Sequence, residues 1–345
     1  MRIWLSAGEL SGDRLGARLA TELRSLDPGV VLGGVAGPEM RRVGVVPRGD
    51  AMVFAHSGWG SILRHLPRLA MEAFRLRRAA IAFRPDLFVA IDAPGANRIL
   101  LRRVRASGIR AAWLAPPQLW AWRERNVREL SDMDVYPLHA FERDALVASG
   151  ARAHWFGFPG CRPGAKAAGS RDLLALLPGS RPSWRTRHEP LFRDAAREAG
   201  LPLEAVVAVP EGRDPAEGEG SVDDVLSRSA LALALPGTGV LESALHGVPT
   251  LVAARPGRFD LWIARGRVAP GPLSLPNRIL GETVFPEMLG TPSVRELADA
   301  LGALWARRDE VRGRLDRLAD ELGPPDAMAA IARDLLETRY RARAI

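Results

Sequence analysis

The residues best placed to do chemistry lie in short small-residue strings, each at the end of an apolar run. The first is Ala7-Gly8-Glu9-Leu10-Ser11-Gly12-Asp13, which follows Ile3-Trp4-Leu5. Small residues there let a ligand approach the backbone, and the helix start beyond them favours anions. Two carboxylates, Glu9 and Asp13, argue against a loop built for phosphate alone. Asp13 admits two readings, a cap and dipole partner for the helix or an acid facing a ligand. Glu9, in the loop itself, reads as ligand-facing, with Ser11 and Gly12 lining the same turn. The second string, Asp92-Ala93-Pro94-Gly95-Ala96-Asn97, follows the strand-like run 86–91. A carboxylate at a strand's C-terminal end can take a proton from an attacking hydroxyl, or it can cap the helix that follows.

The second half repeats the plan. Leu176-Leu177-Pro178-Gly179-Ser180-Arg181 ends an apolar run with a tight turn and an arginine. Pro236-Gly237-Thr238-Gly239 opens a helix whose first N–H groups suit a diphosphate, and Glu242, one turn beyond Thr238, suits ribose hydroxyls. Ser274-Leu275-Pro276-Asn277 completes the set, and Pro117-Gln118-Leu119-Trp120 is the most unusual string of the first half. Two tryptophans two apart, Trp120 and Trp122, cannot share one helical face. The chain has shed nearly all its amides: it holds one glutamine and three asparagines. Three of these four, Asn97, Gln118 and Asn277, fall in the strings above, as expected of side chains kept for specific hydrogen bonds. Asp132-Met133-Asp134 has the spacing of a metal-binding acidic pair but reads as a helix end and strand start. The six histidines show no metal-ligand spacing, so no metal and no other cofactor is expected.

These loops need strands to carry them. Apolar runs at 2–6, 30–35, 86–91 and 110–114 alternate with helical stretches at 12–26, 62–83, 97–106 and 119–130. After a Gly- and Pro-rich junction at 157–164, runs at 173–177, 204–209, 230–235 and 248–253 continue the alternation, and 293–341 reads as helical throughout. The pattern predicts an α/β protein of two Rossmann-like, doubly wound parallel-sheet domains facing across a cleft. The expected domains are 1–160 and 165–325, with a helix over 326–345 packing back on the first. The 345 residues suit two domains.

Composition removes several classes. The only lysine, Lys166, stands outside any Walker A pattern, which excludes P-loop phosphate chemistry and the kinase lysine. The single cysteine, Cys161, excludes disulfides within the chain and cysteine-based metal clusters. No apolar run reaches membrane-spanning length, so a cytoplasmic location is expected. A net charge of +8 leaves nucleic acid, an anionic membrane surface or a phosphorylated ligand as partners. With only two tyrosines, and tryptophans in apolar strings, a nucleic-acid surface is disfavoured.

Taken together, these strings resemble the lipid-A-disaccharide synthase family, sugar-nucleotide-dependent glycosyltransferases of the two-Rossmann-domain (GT-B) type. The resemblance rests on Ala-Gly-Glu-x-Ser-Gly-Asp at 7–13, Gly-Val-Ala-Gly-Pro-x-Met at 34–40, Ile-Asp-Ala-Pro at 91–94 and Trp-Ala-Trp-Arg at 120–123. It continues with Phe-Glu at 141–142, Leu-Leu-Pro-Gly-Ser-Arg at 176–181, Gly-Thr-x-x-Leu-Glu at 237–242 and Ser-Leu-Pro-Asn at 274–277. It implies inverting transfer of 2,3-diacylglucosamine from UDP to 2,3-diacylglucosamine 1-phosphate. On the matching positions Asp92 is the general base, with Glu9 as its alternative or helper. Arg181, Gly237, Thr238, Glu242 and Asn277 hold the donor. Ser11, Gly12, Asp13, Asn97, Gln118 and Trp120 line the acceptor side.

The chain departs from the family pattern at several places. Gly95-Ala96 replaces Asp-Phe, Phe158 replaces the junction histidine, and Arg162 replaces an acid. Pro236 replaces a serine, Gly290 a glutamine and Ser61 a glutamate, and a helix and strand between Val209 and Asp223 are expected to be missing. These changes keep open a related transferase with another nucleotide sugar or acceptor, or a non-catalytic UDP-sugar binder.

One stretch suggests where acylated substrates would be met. Between Ser61 and Arg78, apolar residues at 62, 63, 66, 69, 73 and 76 form one stripe, and Arg64, Arg68, Arg75 and Arg78 another. It reads either as a helix lying on anionic lipid or as a helix covering the sheet with a solvated basic face. The first reading gives a protein peripherally bound to the inner face of the cytoplasmic membrane.

Overall fold

The computed structural model describes residues 1–50, 59–119, 128–160, 171–180, 182–209, 215–257 and 271–341, with the backbone alone for 59–70, 128 and 338–341. The chain forms two compact units, Met1–Gly160 with Gly323–Ile345, and Cys161–Leu322. The first holds β1 (Arg2–Ala7), β2 (Val31–Ala36), β3 (Val46–Asp50), β4 (Leu87–Ile91), β5 (Arg110–Leu114), β6 (Asp134–Tyr136) and β7 (Arg152–Ala153). Their order is β3-β2-β1-β4-β5-β6-β7, and every pair is parallel. The second holds β8 (Leu173–Leu177), β9 (Glu204–Val209), β10 (Glu219–Ser221), β11 (Ser229–Ala234), β12 (Thr250–Ala254) and β13 (Glu287–Leu289). Here the order is β10-β9-β8-β11-β12-β13, again all parallel. Strand order reverses between β1 and β4 in one sheet and between β8 and β11 in the other. At such a reversal, loops leaving adjacent strands turn opposite ways and open a crevice at the carboxyl edge.

The strands read as unbroken apolar runs because helices cover both faces of each sheet, and every residue of β4 and β8 is buried. Trp4 packs edge-on to Phe83 and stacks with Phe88 at the centre of the first core. The last helix, Ala327–Arg341, adds Met328, Ile331, Ala332 and Leu335 to the same core. The Tyr136 hydroxyl donates to Asp334 Oδ2 at 2.7 Å, and burial together with that bond pushes the phenol pKa up. Asp134 of the acidic triplet begins β6 and accepts from Arg152 Nε at 2.8 Å. Burial raises its pKa, but hydrogen bonds from His154 and Arg152 outweigh that and hold the carboxyl well below the usual range.

The structure corrects three expectations. The region 293–341 is not one helical run but four helices, Val294–Ala306, Arg308–Leu315, Leu318–Glu321 and Ala327–Arg341. Gly323-Pro324-Pro325 explains the widest break, since proline cannot continue a helix. A strand expected to be missing after Val209 is present as β10, short and at the sheet edge. Within the helix expected over 119–130, Arg128–Leu130 forms a single 3-10 turn, and 120–127 lie outside the described residues.

Candidate active site

In the first unit the register Ala7↔Ile91 sets Gly8, Glu9 and the first turn of the helix Leu10–Leu26, which carries Ser11, beside the end of β4. Ser11 Oγ donates to Asp92 Oδ2 at 2.8 Å, joining two of the predicted residues across 81 positions of sequence. Both are half-buried, as is Glu9. A Cβ on Gly8 would come within 2.5 Å of Ala93 Cβ, so this glycine lets the loop pass over the bend after β4. The arrangement holds one oxygen of a carboxylate by a hydroxyl at a switch point, the setting for a general base acting on a ligand's hydroxyl. Gln118 is exposed in the loop after β5. Trp120 and Arg181 lie outside the described residues.

Two first-unit residues expected on the acceptor side are built into the scaffold instead. Asp13 is 0% exposed, and its carboxylate accepts from the backbone N–H groups of Gly37, Glu39 and Met40 at 2.8, 2.8 and 3.2 Å. It therefore caps the helix Pro38–Arg42, whose N-cap, Gly37, has no side chain to do so. A Cβ on Gly37 would sit 2.5 Å from Asp13 Oδ2, which explains the glycine of the 34–40 string. Gly12 is buried beneath the same turn, facing Ile91 O and Asp92 Cβ. Asn97 is 1% exposed, and its Nδ2 donates to the carbonyls of Ser6, Ile91 and Asp92. Its amide ties two strand ends together rather than facing a ligand.

In the second unit Gly237 and Thr238 are exposed where β11 runs into the helix Thr238–Leu245. The first N–H groups of that helix have no intrahelical partners and form a ready anion site. Glu242 is half-buried one turn on. Asn277 corrects a further expectation: it is 1% exposed and every valence of its amide is taken within the protein. Its Nδ2 donates to Phe285 O and Glu287 Oε1, and its Oδ1 accepts from the N–H groups of Val284 and Phe285. No valence remains for a donor molecule, so Asn277 acts by shaping its loop. Glu287, which sequence reasoning missed, accepts from the N–H groups of Leu273 and Ser274, both at 2.9 Å, and fixes the same loop. His188 was missed too. It is 0% exposed, its Nδ1 donates to Trp184 O, and its Nε2 accepts from Arg255 N–H. Burial pushes its pKa down, so it pins the end of β12 as a neutral ring.

The family profile described as lipid-A-disaccharide synthetase matches residues 3–208 and 214–310. The chain belongs to this family. The lipid-A-disaccharide synthase of Azotobacter vinelandii is 32% identical, over 99% of this chain and 99% of its own. That of Alkalilimnicola ehrlichii is 32% identical over 96% and 98%. Among solved structures, a spinosyn rhamnosyltransferase complexed with thymidine diphosphate matches with a TM-score of 0.61 at 17% identity, covering 97% of this chain and 100% of its own. The structure titled S. aureus MnaA–UDP co-structure gives 0.64 at 10% identity, covering 100% and 98%. These two show the fold. As a lipid-A-disaccharide synthase family member the chain is a glycosyltransferase.

The family framework also locates one departure. Phe158, where the lipid-A-disaccharide synthase pattern has histidine, lies face to face with His139, with ring centroids 5.6 Å apart and planes 8° apart. Phe141 also stacks with His139, with ring centroids 5.5 Å apart and planes 3° apart. The imidazole is 2% exposed and neither ring nitrogen has a hydrogen-bond partner. Burial pushes its pKa down to about 4.

Proposed function

We propose that the chain moves a 2,3-diacylglucosamine unit from UDP to the 6-hydroxyl of 2,3-diacylglucosamine 1-phosphate, with inversion at the anomeric carbon. The observation that supports this most directly is the Asp92 carboxylate held by Ser11 at the switch point of the first sheet. Asp92 takes the proton of the acceptor hydroxyl as that oxygen attacks the anomeric carbon, and the bond to the UDP oxygen breaks on the opposite face. Ser11 keeps Asp92 Oδ2 occupied and leaves Oδ1 to the substrate. Glu9, half-buried at the N-cap of the helix that carries Ser11, supports the acceptor. The N–H groups at Gly237–Gly239 and the Arg181 guanidinium take up the charge that develops on the diphosphate, and Glu242 accepts from the ribose hydroxyls. The residues assigned need no metal.

The acylated substrates call for contact with lipid, and the helix Trp59–Phe83 offers a face for it. Its inner stripe is buried at Leu76, Ala80 and Phe83. Its outer face carries Met71, Phe74 and Ile81, exposed by 61%, 53% and 37%. Arg75 and Arg78 stand beside them, both exposed. Large apolar residues interleaved with arginines suit an anionic membrane surface. Among the described residues no helix is long and apolar enough to cross a membrane.

The deciding experiment incubates purified protein with UDP-diacylglucosamine and the 1-phosphate acceptor and follows disaccharide and UDP by mass spectrometry. Asp92→Asn is expected to abolish transfer and leave UDP binding intact by calorimetry. Retained turnover in that variant would refute the assignment of the base. UDP binding by the wild type without transfer to any acyl-glucosamine acceptor would replace an enzyme with a sugar-nucleotide binder.

A further inference from the structure

The chain bends sharply where β4 ends. Asp92 and Ala93 both take the left-handed conformation, with φ of 49° and 45°. Neither is glycine, and a side chain in that region crowds its own backbone, so each position is strained and persists only where its surroundings hold it. Three hydrogen bonds from two neighbouring elements do so. The Asp92 N–H donates to Leu114 O at 3.0 Å, the last rung between β4 and β5. The Asp92 carbonyl accepts from Asn97 Nδ2 at 2.8 Å and from Trp113 Nε1 at 3.3 Å. Asn97 is 1% exposed and Trp113 is 0% exposed, so both donors are fixed by packing.

We infer that Asn97 and Trp113 are positioning residues: they lock the Asp92 peptide in its left-handed turn and so keep the Asp92 carboxylate on Ser11. This rests on Asp92 as the base proposed above. Neither residue touches substrate. In an extended strand Asp92 would direct its side chain along the alternation of β4, away from the helical turn that carries Ser11. The left-handed turn re-aims it, and the two donors on one carbonyl hold that turn. An asparagine read as ligand-facing and a core tryptophan thereby share one task.

The test substitutes Trp113→Phe, which keeps an aromatic ring in the core and removes the N–H. The expected result is a fall in kcat of about ten- to a hundredfold, the scale of a small misplacement of a reacting group, with both KM values within about twofold of wild type. The same variant is expected to bind UDP as tightly as the wild type by calorimetry, because its effect passes through the carboxylate. A crystal structure of Trp113→Phe is expected to show Asp92 at negative φ and its carboxylate released from Ser11 Oγ. Asn97→Ala is expected to do the same. Unchanged kcat, weakened UDP binding, or an Asp92 still left-handed on Ser11 in both variants would each overturn the inference. If the wild type forms no disaccharide, the functional reading fails on its own, and the geometry of Asp92 in the variants still decides the lock.

Discussion

Lowering the pH from 7 to 4.5 is expected to destabilise the protein by about 2.5 kcal/mol through one side chain, His139. Its ring stacks with both Phe141 and Phe158, and both its nitrogens are buried without partners. In the native state burial pushes its pKa from 6.5 down to about 4. In the unfolded chain the ring takes up its proton at the ordinary value. Between those two values the unfolded state therefore holds more protons, and stability falls as pH falls. The loss is about 1.4 kcal/mol at pH 5.5 and levels off at about 3.4 kcal/mol below pH 4. The control is His139→Phe, which keeps a flat ring in the stack and cannot titrate. Urea unfolding followed by tryptophan fluorescence, at constant ionic strength across this pH range, gives the stability of each chain. His188, whose pKa burial also pushes down, is present in both chains and cancels in the difference. The difference in stability between the two chains is expected to grow in favour of the variant as pH drops. A difference that stays constant from pH 7 to 4.5 would refute the reasoning, because it would mean that the buried ring finds a proton as easily as a solvated one.

Asp13→Ala strands three N–H groups, two of them buried, at the start of the helix Pro38–Arg42 and is expected to cost about 3 kcal/mol, measured by chemical denaturation; a loss below about 0.5 kcal/mol would contradict the capping role. Asn277→Ala is expected to lower stability by about 2 kcal/mol and to weaken UDP binding only through the loop, so calorimetry should show a smaller loss than for Thr238→Ala with Arg181→Ala. Ser11→Ala is expected to lower kcat by about tenfold while donor and acceptor KM hold, and a pure KM effect would place Ser11 on the substrate instead of on Asp92. Met71→Glu with Phe74→Glu is expected to cut pelleting with anionic vesicles severalfold without changing transfer to a detergent-dispersed acceptor. Equal pelleting of both proteins would remove the outer face of that helix as the lipid contact.

The central strands of both sheets are legible in sequence because helices bury them on both sides. β1, β4, β8 and β11 are runs of apolar residues that no polar position interrupts for long. β6, β7, β10 and β13 are not legible, since strands of 3, 2, 3 and 3 residues carry no period. Position at the carboxyl end of an apolar run singles out Asp92 in the sequence, and Ser11 enters with the family string at 7–13. Their partnership spans 81 residues and belongs to the register between β1 and β4, which no local pattern contains. The scarcity of amides pointed to Asn97 and Asn277 correctly as residues with specific hydrogen bonds, but composition says nothing of the partner, and in both cases it is mostly backbone. The stripe ending at Leu76 was visible as apolar. The outward trio of Met71, Phe74 and Ile81 was not, because arginines between them mask its period. Trp113 and Glu287 act through the main chain of distant segments, and no residue type signals that.

The bond from Tyr136 to Asp334 joins residues 198 apart, and Met328, Ile331 and Leu335 complete a core begun by Ile3 and Trp4. The second unit is made between those two sets of residues. During synthesis the first sheet must therefore wait, with the ground under its last helix open, while an entire domain is translated and can fold ahead of it. The C-terminal unit has all of its strands before the N-terminal one has all of its core. A chain released before residue 327 would carry a finished second domain and an unfinished first one, with apolar surface exposed on the half that holds Asp92.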